Sequence, residues 1–402
     1  MKNLRQKITA LLFLGLIAAM FVLLLSRFDD LKWAATQGYR QKLPENPTMA
    51  DTMGAIIDSV GQQVDSSNPM RNAFIEINGY WQRLMGKRVI EDANPQLRVV
   101  RLDDGRLVFT VGQTETDWKA ENLAALSDWC ADRDTPLLYV QAPFKIDPQD
   151  PQLPTGIEDY TNENADNLLA GLRERGVATL DLRAEIKRDG LDHADLFYRT
   201  DSHWTTEAAF WAYQTLCEKL STDYGFVIDE QVTRRENFAL TTYEGIFLGS
   251  QGKRVGSLYA GVDDVDVLLP EFETEIRYTV PVHGFEKQGP FAESVMDYNH
   301  VNTVDLYEMS PYYVYSGGDY PLSSFQNLKL PEGKRILLVR DSYSCAVAPF
   351  LSLAVGEVIT FDLRYNDEKL TDCIERTDPD LVLVLYNPGV LRDDVMFHYG
   401  LD

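Results

Sequence analysis

Short apolar runs alternate along the chain with segments in which apolar residues recur at helical spacing. Leu123, Leu126 and Cys130 mark one predicted helix, and a second, from Thr205 to Leu220, carries an alanine-rich face. The apolar runs predict strands near residues 137–141, 177–182, 336–340, 358–362 and 381–386. This alternation is typical of a parallel sheet with crossover helices on both faces. The sequence therefore predicts an α/β fold.

The segments around this α/β pattern have other compositions. Residues 31–98 carry prolines and many polar residues, and predict a stalk with a helical lead-in. Residues 99–111 predict a hairpin that turns at Asp103-Asp104-Gly105. Residues from about 225 to 330 are rich in Tyr, Gly, Pro and Asp, with short alternating stretches typical of a β-rich insertion. One large domain, residues 99–402, is expected to hold this insertion.

The N-terminus has the features of a membrane segment. Lys2, Arg5 and Lys7 precede an apolar run from Ile8 to Ser26, which is long enough to span a bilayer. The basic residues before the run predict that residues 1–30 are a cytoplasmic tip and a transmembrane signal anchor. A cleaved signal peptide is the alternative, but the run lacks a clear small-x-small cleavage site. With the anchor retained, the chain is a single-pass protein of the cell membrane with its large domain outside the cytoplasm.

Charge and cysteine content bear on the class of function. The 402-residue chain has a formal net charge of −24, and a surface this acidic repels the phosphates of nucleic acids. The four cysteines form no C-x-x-C pattern, so neither a zinc site nor haem attachment is indicated. They lie in apolar or helical stretches, which favours buried free thiols over a disulfide framework. No cofactor is expected.

A small polar segment, Asp341-Ser342-Tyr343, follows the predicted strand that ends at residue 340. The carboxyl end of a parallel strand is where α/β enzymes place their chemistry. The N–H groups at the start of the following helix can hold an oxyanion. Ser342 is therefore a candidate nucleophile. The alternative is that Asp341 or Ser342 only caps that helix.

A second polar segment contains Asp201 and His203. A serine needs a base to become a nucleophile, and an imidazole needs a carboxylate to fix its tautomer, so these two side chains supply both. The alternative is an aspartate that caps a helix beside an incidental histidine. A metal site would use Asp201, His203, Asp192, His193 and Asp195. The spacing of these residues matches no recognised ligand pattern.

Together the two polar segments resemble a known family. Asp201-Ser202-His203-Trp204, followed by Asp341-Ser342-Tyr343 after a strand, is similar to the motifs of the DHHW proteins. Those proteins belong with the SGNH-hydrolase-like domains of the alginate O-acetylation proteins AlgX and AlgJ. The segments Ala142–Lys145 and Ile359–Tyr365 add to the likeness, which spans roughly residues 100 to 400.

The resemblance implies a fold and a set of site residues. The fold is an SGNH-hydrolase-like parallel sheet flanked by helices. By resemblance, Ser342 is the nucleophile, His203 the base and Asp201 the carboxylate that orients the base. Two residues depart from the family pattern: Arg340 stands where a glycine is usual, and Ser202 where histidine or threonine is common. Neither departure removes a catalytic group.

Further residues are candidates for the oxyanion hole or for substrate contact: Asn387, Tyr343, Lys145, Trp204 and Arg364. Asn387 follows the last predicted strand, where this superfamily often contributes a polar side chain; a strand-terminating turn is the alternative. Lys145 is a candidate for contact with an anionic substrate. The glycines between residues 243 and 254 do not form a phosphate loop, because the G-K-[ST] ending is absent.

Two classes of function agree with these features. The first is an extracytoplasmic acyltransferase or carbohydrate esterase that moves acyl groups, acetyl in particular, on or off cell-surface or secreted polysaccharide. A membrane acyltransferase could serve as its acyl donor. The second is a polysaccharide-binding or assembly protein that keeps the fold without catalysis. Hydrogen-bond contact between Ser342 Oγ and His203 would favour the enzyme.

Overall fold

The computed structural model describes residues 70–92 and 94–401, together with isolated positions before residue 70. Two compact units divide the chain, residues 1–77 and residues 78–402. The predicted membrane segment from Ile8 to Ser26 lies almost wholly outside the described residues. Within the part that is described, no helix is long and apolar enough to cross a membrane.

Strands and helices follow one another through the described residues. The strands are β1 (Val89–Ile90), β2 (Val99–Arg101), β3 (Leu107–Phe109), β4 (Leu137–Gln141), β5 (Thr179–Asp181), β6 (Phe238–Phe247), β7 (Asp263–Pro270), β8 (Ile276–Val280), β9 (Phe285–Gly289), β10 (Leu322–Asn327), β11 (Arg335–Arg340), β12 (Glu357–Phe361) and β13 (Leu381–Tyr386). The helices are α1 (Arg71–Leu84), α2 (Asp117–Ala131), α3 (Thr161–Glu174), α4 (Leu182–Arg188), α5 (Thr206–Asp223), α6 (Glu230–Thr233), α7 (Gly252–Val255), α8 (Ser257–Ala260), α9 (Phe291–Ser294), α10 (Asn299–Asn302), α11 (Ser344–Ala354) and α12 (Leu370–Thr377). The predicted hairpin is present as β2 and β3, which pair antiparallel.

Eight strands form the main sheet, in the order β5-β4-β13-β11-β12-β10-β8-β9. The first five in this order are parallel to one another, as predicted. The remaining three pair antiparallel, so the sheet is mixed and the prediction of a parallel sheet is wrong at this edge. These three strands come from the segment predicted as an insertion. β8 buries alternate residues, a pattern that suits a one-sided antiparallel edge.

Two hydrophobic cores cover the two faces of the parallel strands. Every residue of β4 and β13 is buried. On β11, Leu337 and Val339 join one core with α2, α3 and α12. Ile336 and Leu338 join the other core with α4, α5 and α11. Helices therefore pack on both faces, as the apolar strands predict.

The carboxyl ends of four parallel neighbours meet at one edge of the sheet. β4 ends at Gln141, β13 at Tyr386, β11 at Arg340 and β12 at Phe361. Residues that are far apart in the sequence and follow these ends are thereby brought side by side.

Candidate active site

Ser342 lies in the turn between β11, which ends at Arg340, and α11, which begins at Ser344. The Asp341 carboxylate accepts a hydrogen bond from the Tyr343 N–H at 2.8 Å and holds the turn in shape. The backbone N–H of Ser342 has no acceptor among the described residues. Ser342 is half-buried and lines a cavity. The turn therefore presents a hydroxyl together with a free N–H group.

His203 connects Ser342 to Asp201. Its Nε2 lies 2.8 Å from Ser342 Oγ, and its Nδ1 contacts Asp201 Oδ1. The same carboxylate oxygen accepts the backbone N–H of His203 at 3.0 Å. With a carboxylate at Nδ1, the neutral ring carries its proton there and offers Nε2 as an acceptor to the serine hydroxyl. Hydroxyl, imidazole and carboxylate thus stand in one hydrogen-bonded row.

The Asp201 carboxylate is buried and supported from its other side. The Ser250 N–H, from the segment after β6, donates to Asp201 Oδ2 at 2.6 Å. Burial alone would raise the pKa of Asp201, but His203 and the N–H donors more than offset it and hold that pKa well below its usual range. The carboxylate is therefore ionised beside the imidazole.

Gly249 permits this close support of Asp201. A Cβ atom at Gly249 would lie 2.1 Å from the Cβ of Asp201 and 2.4 Å from its Cα. The Gly249 N–H also donates to Thr200 Oγ1 at 2.8 Å. The glycine-containing segment that does not form a phosphate loop thus packs directly against the loop of Asp201 and His203.

Tyr312 packs flat against the His203 ring, with centroids 3.8 Å apart and an angle of 13° between the planes. Its hydroxyl lies 3.0 Å from the carbonyl oxygens of both Ser342 and Tyr343. One side chain therefore positions the imidazole and the serine turn together. Tyr312 has no sequence signal, because nothing in its tyrosine-rich neighbourhood distinguishes it from Tyr313.

Asn387, which directly follows β13, is bound to the carboxylate that precedes Ser342. Its backbone N–H and its Nδ2 donate to Asp341 Oδ2 at 2.6 and 2.8 Å. Its Oδ1 accepts the Gly389 N–H at 2.8 Å, which fixes the orientation of the amide. Asn387 also lines the cavity, and its Nδ2 makes no other hydrogen bond among the described residues.

A cavity of about 280 Å³ opens at Ser342. Its apolar wall is formed by Val108, Phe109, Val111, Phe144 and Val390. Its polar lining includes Ser202, Ser250, Gln251, Arg392 and Asp393. Four of the residues predicted for the oxyanion hole or for substrate contact also line it: Asn387, Tyr343, Lys145 and Arg364.

Two of the predicted contact residues are used to hold the site together. Trp204 is fully buried, does not line the cavity, and donates from Nε1 to the Tyr343 carbonyl at 3.1 Å. The Tyr343 hydroxyl donates to the Ser202 carbonyl at 2.6 Å. These bonds join the two polar segments that carry the serine and the histidine.

The Lys145 amine is occupied by backbone carbonyls. Its Nζ donates to the carbonyl oxygens of Leu107, at 2.8 Å, and of Asp201. Burial lowers the pKa of Lys145 to about 7, against the opposing effect of the nearby Asp201 carboxylate. Lys145 therefore fixes the Asp201 loop while it also lines the cavity.

Arg340, one of the two departures from the motif that the sequence resembles, belongs to a buried cluster of charges. Its guanidinium pairs with Asp319 and donates to the Tyr320 carbonyl at 2.7 Å. Arg364 bridges Asp319 at 3.0 Å and Asp362 at 2.5 Å while it lines the cavity. Burial would raise the pKa of Asp319, but the two guanidinium groups lower it below its usual range. Two cations and two carboxylates thus fix the wall beside Ser342.

The alternative of a metal site has no support from the side-chain geometry. In the described part of the chain, no group of three or more His, Cys, Asp or Glu side chains is placed to hold a metal ion. Asp192, His193 and Asp195 lie at the 3₁₀ turn His193–Leu196. The four cysteines are buried and free, as expected.

Two family models match parts of this chain. Residues 184–360 match the family model described as DHHW protein, and residues 109–252 match the model of the SGNH hydrolase-like domain, acetyltransferase AlgX. The chain has an SGNH-hydrolase-like fold related to the DHHW proteins and AlgX. The resemblance drawn from its motifs is thereby confirmed.

Solved structures share this SGNH-hydrolase-like fold. Bacillus cereus PatB1 with a sulfonyl adduct superposes with a TM-score of 0.62 at 19% identity, covering 77% of this chain and 98% of PatB1. A DHHW family protein from Eubacterium siraeum DSM 15702 superposes with a TM-score of 0.57 at 18% identity, covering 76% and 96%. At these identities the likeness establishes the fold. No curated protein matches the chain.

Proposed function

We propose that this protein is an extracytoplasmic serine O-acyltransferase or carbohydrate esterase that moves acetyl groups on or off polysaccharide. The observation that carries the proposal is the row from Ser342 through His203 to Asp201, with 2.8 Å between Oγ and Nε2. A protein that only binds polysaccharide has no need of a serine hydroxyl in hydrogen-bond contact with a carboxylate-supported imidazole. The geometry therefore supports the enzyme over the binding protein.

The first half of the reaction forms an acyl-enzyme. Ser342 Oγ attacks the carbonyl carbon of an acyl ester while its proton passes to His203 Nε2. Asp201 stays ionised and stabilises the imidazolium. The tetrahedral intermediate then collapses, the bond to the leaving alcohol breaks, and that alcohol takes the proton from Nε2. The products are the free alcohol and an ester on Ser342.

The proposed donors to the oxygen on which negative charge develops are the Ser342 N–H and the Asn387 amide. The Ser342 N–H is free for this oxygen, and the Asn387 amide is held beside it by Asp341. Each such donor acts only when the oxyanion forms, so it lowers the barrier without tightening the ground state. Arg364 also lines the cavity, with its charge balanced by Asp319 and Asp362.

The second half of the reaction decides between the two activities. An acceptor gives its proton to His203 and attacks the acyl carbonyl, and Ser342 leaves with that proton. Water as the acceptor makes the protein an esterase, whereas a sugar hydroxyl makes it a transferase. Every proton is carried by His203, so the reaction requires no cofactor.

The simplest test compares Ser342 with Ser344, the first residue of α11. Wild-type protein should release p-nitrophenol from p-nitrophenyl acetate and should be labelled by a sulfonyl fluoride on Ser342. Ser342→Ala should lose both. Ser344→Ala is the matched control, because the Ser344 hydroxyl is buried, has no hydrogen-bond partner and does not line the cavity. Equal turnover by wild type and Ser342→Ala would overturn the proposal.

The proposal also includes the location and the partners of the enzyme. The apolar run from Ile8 to Ser26 would anchor it in the cell membrane, with a membrane acyltransferase as the source of acyl groups for transfer. Protease treatment of intact cells should then digest residues 78–402. Protection of those residues in intact cells, with digestion after lysis, would contradict an extracytoplasmic site.

A further inference from the structure

A second cavity, of about 350 Å³, adjoins the one at Ser342. Phe144 lines both cavities, so a single side chain forms part of the wall between them. The second cavity is bordered by α4 and by the turn at His193. None of the groups that act in the proposed reaction lines it. Its position suits a ligand that extends from Ser342 past Phe144.

Polar groups without protein partners line this second cavity. Arg106 is 6% exposed; its Nε is paired with Asp104 and its Nη1 donates to the Lys145 carbonyl at 3.2 Å. No hydrogen bond of its Nη2 occurs within the described residues. His193 Nδ1 is buried and likewise has no hydrogen-bond partner. A buried ring nitrogen without a partner is costly, and a ligand hydroxyl that reaches His193 Nδ1 would satisfy it, while Arg106 Nη2 remains free to donate.

Charged side chains of both signs line the second cavity. Its charged and titratable lining, apart from His193, consists of Arg106, Arg183, Lys187, Asp147, Asp150 and Asp192. Arg106 and Arg183 are already paired with Asp104, Asp166 and Asp181, so the lining repels an anionic ligand. Groups that both donate and accept fit such a lining, and hydroxyl groups do both. The chemistry therefore favours an uncharged ligand rich in hydroxyls.

We propose that the second cavity binds the sugar unit next to the one that is acylated or deacylated at Ser342. This inference rests on the proposed function and extends it to the chain length of the substrate. One uncharged sugar unit would lie in each cavity, with Phe144 between them. Lys187 and His193 would hydrogen-bond the hydroxyls of the second unit. Substrates with two or more sugar units should therefore be preferred over monosaccharides.

The test for turnover uses the full chain with two kinds of ester. Partially acetylated cello-oligosaccharides of one to four units probe both cavities, whereas p-nitrophenyl acetate needs only the first. For wild type, kcat/KM should rise about tenfold from one unit to two, the effect of gaining one or two hydrogen bonds. Lys187→Ala and His193→Ala should each raise KM for the two-unit ester and leave p-nitrophenyl acetate unchanged. Lys287→Ala, on β9 at the opposite edge of the sheet from β5 and α4, should change neither.

Binding separates this inference from the proposed reaction. Unacetylated cellotriose, titrated into Ser342→Ala protein, should bind more weakly when Lys187→Ala is added. If no ester were turned over while cellotriose still bound in this way, the proposed reaction would be rejected and the proposed subsite retained. The subsite would be overturned if wild type had equal kcat/KM on one-unit and two-unit esters. It would also be overturned if the variants lost activity equally on both kinds of ester, or if cellotriose did not bind.

Discussion

The carboxylate of Asp341 binds Asn387 twice, at its backbone N–H over 2.6 Å and at its side-chain amide over 2.8 Å. Asp341 precedes the candidate nucleophile at the end of β11, and Asn387 directly follows the neighbouring strand β13. One carboxylate oxygen therefore sets the position of a candidate oxyanion donor relative to Ser342. Two parallel strands, and not only two loops, carry the proposed reaction centre.

Asp341→Asn should impair the reaction more than substrate binding. An amide in this place turns one acceptor into a donor, which opposes the N–H groups of Asn387 or Tyr343. We expect kcat on p-nitrophenyl acetate to fall about 10²-fold, as when one oxyanion donor is lost, with KM little changed. Asp128→Asn, at an exposed position of α2, is the control. A kcat within a factor of three of wild type would show that Asp341 does not position Asn387.

Ser342→Ala and His203→Ala should not have additive effects. The serine is activated only through the imidazole, so removing either group removes the same step. Each single variant should reduce turnover of p-nitrophenyl acetate to the residual level, and the double variant should be no slower. The comparison requires kcat for all four proteins. A double variant at least tenfold slower than both single variants would indicate that the two residues act independently.

Asp201 should make the stability of the fold depend on acid pH. Its pKa is lowered in the folded protein, so the folded state binds fewer protons and the carboxylate stabilises the fold above the pKa of the unfolded chain, about 3.9. That contribution should be lost as the pH falls below this value. In urea titrations, Asp201→Asn should be less stable than wild type at pH 6, and the difference should shrink below about pH 4. A difference that stays constant with pH would contradict the lowered pKa.

Gly249→Ala should disturb the Asp201 loop although it adds a single methyl group. The new Cβ would collide with the backbone and Cβ of Asp201, so the segment that carries the Ser250 N–H must move away. We expect a loss of about 2 kcal/mol in the free energy of unfolding, typical of overpacking, and a lower kcat. Gly112→Ala is the matched control, because its Cβ would meet no atom within 4 Å. Equal free energies of unfolding for the two variants would show that the Asp201 loop accommodates the extra methyl group without loss of stability.

Arg340→Met should destabilise the fold, although the family has an uncharged residue there. It leaves the half-buried Asp319 with Arg364 as its remaining cation, and breaking a buried ion pair costs about 3–5 kcal/mol. Because Arg364 remains, we expect a loss near 3 kcal/mol at the low end of that range, measured by urea unfolding. Arg340→Met with Asp319→Leu should regain most of it, since Arg364 keeps Asp362. A double variant as unstable as Arg340→Met would indicate that packing, not charge, sets the cost.

The sequence by itself determined the parallel strands and the residues of the hydrogen-bonded series Ser342, His203 and Asp201. Strands buried on both faces must be apolar throughout, which is visible locally in β4, β11 and β13. The Asp-x-His and Asp-Ser motifs are also local, and their order identified Ser342, His203 and Asp201 as candidates. The antiparallel edge was not predictable in this way. The partners of β8, β9 and β10 are set by long-range pairing, and the local pattern of these strands does not reveal those partners.

Only the tertiary structure decided which side chains meet. His203 and Ser342 are 139 positions apart, and packing of α5 and α11 on one face of the sheet brings them within 2.8 Å. Tyr312 and Gly249 contribute through a stacked ring and a missing Cβ, and neither has a sequence signature. Trp204 illustrates the reverse case: its motif suggested substrate contact, whereas folding buries it beneath the serine turn. A motif specifies the chemistry that its residues can perform, but their burial and neighbours depend on distant segments that the motif does not contain.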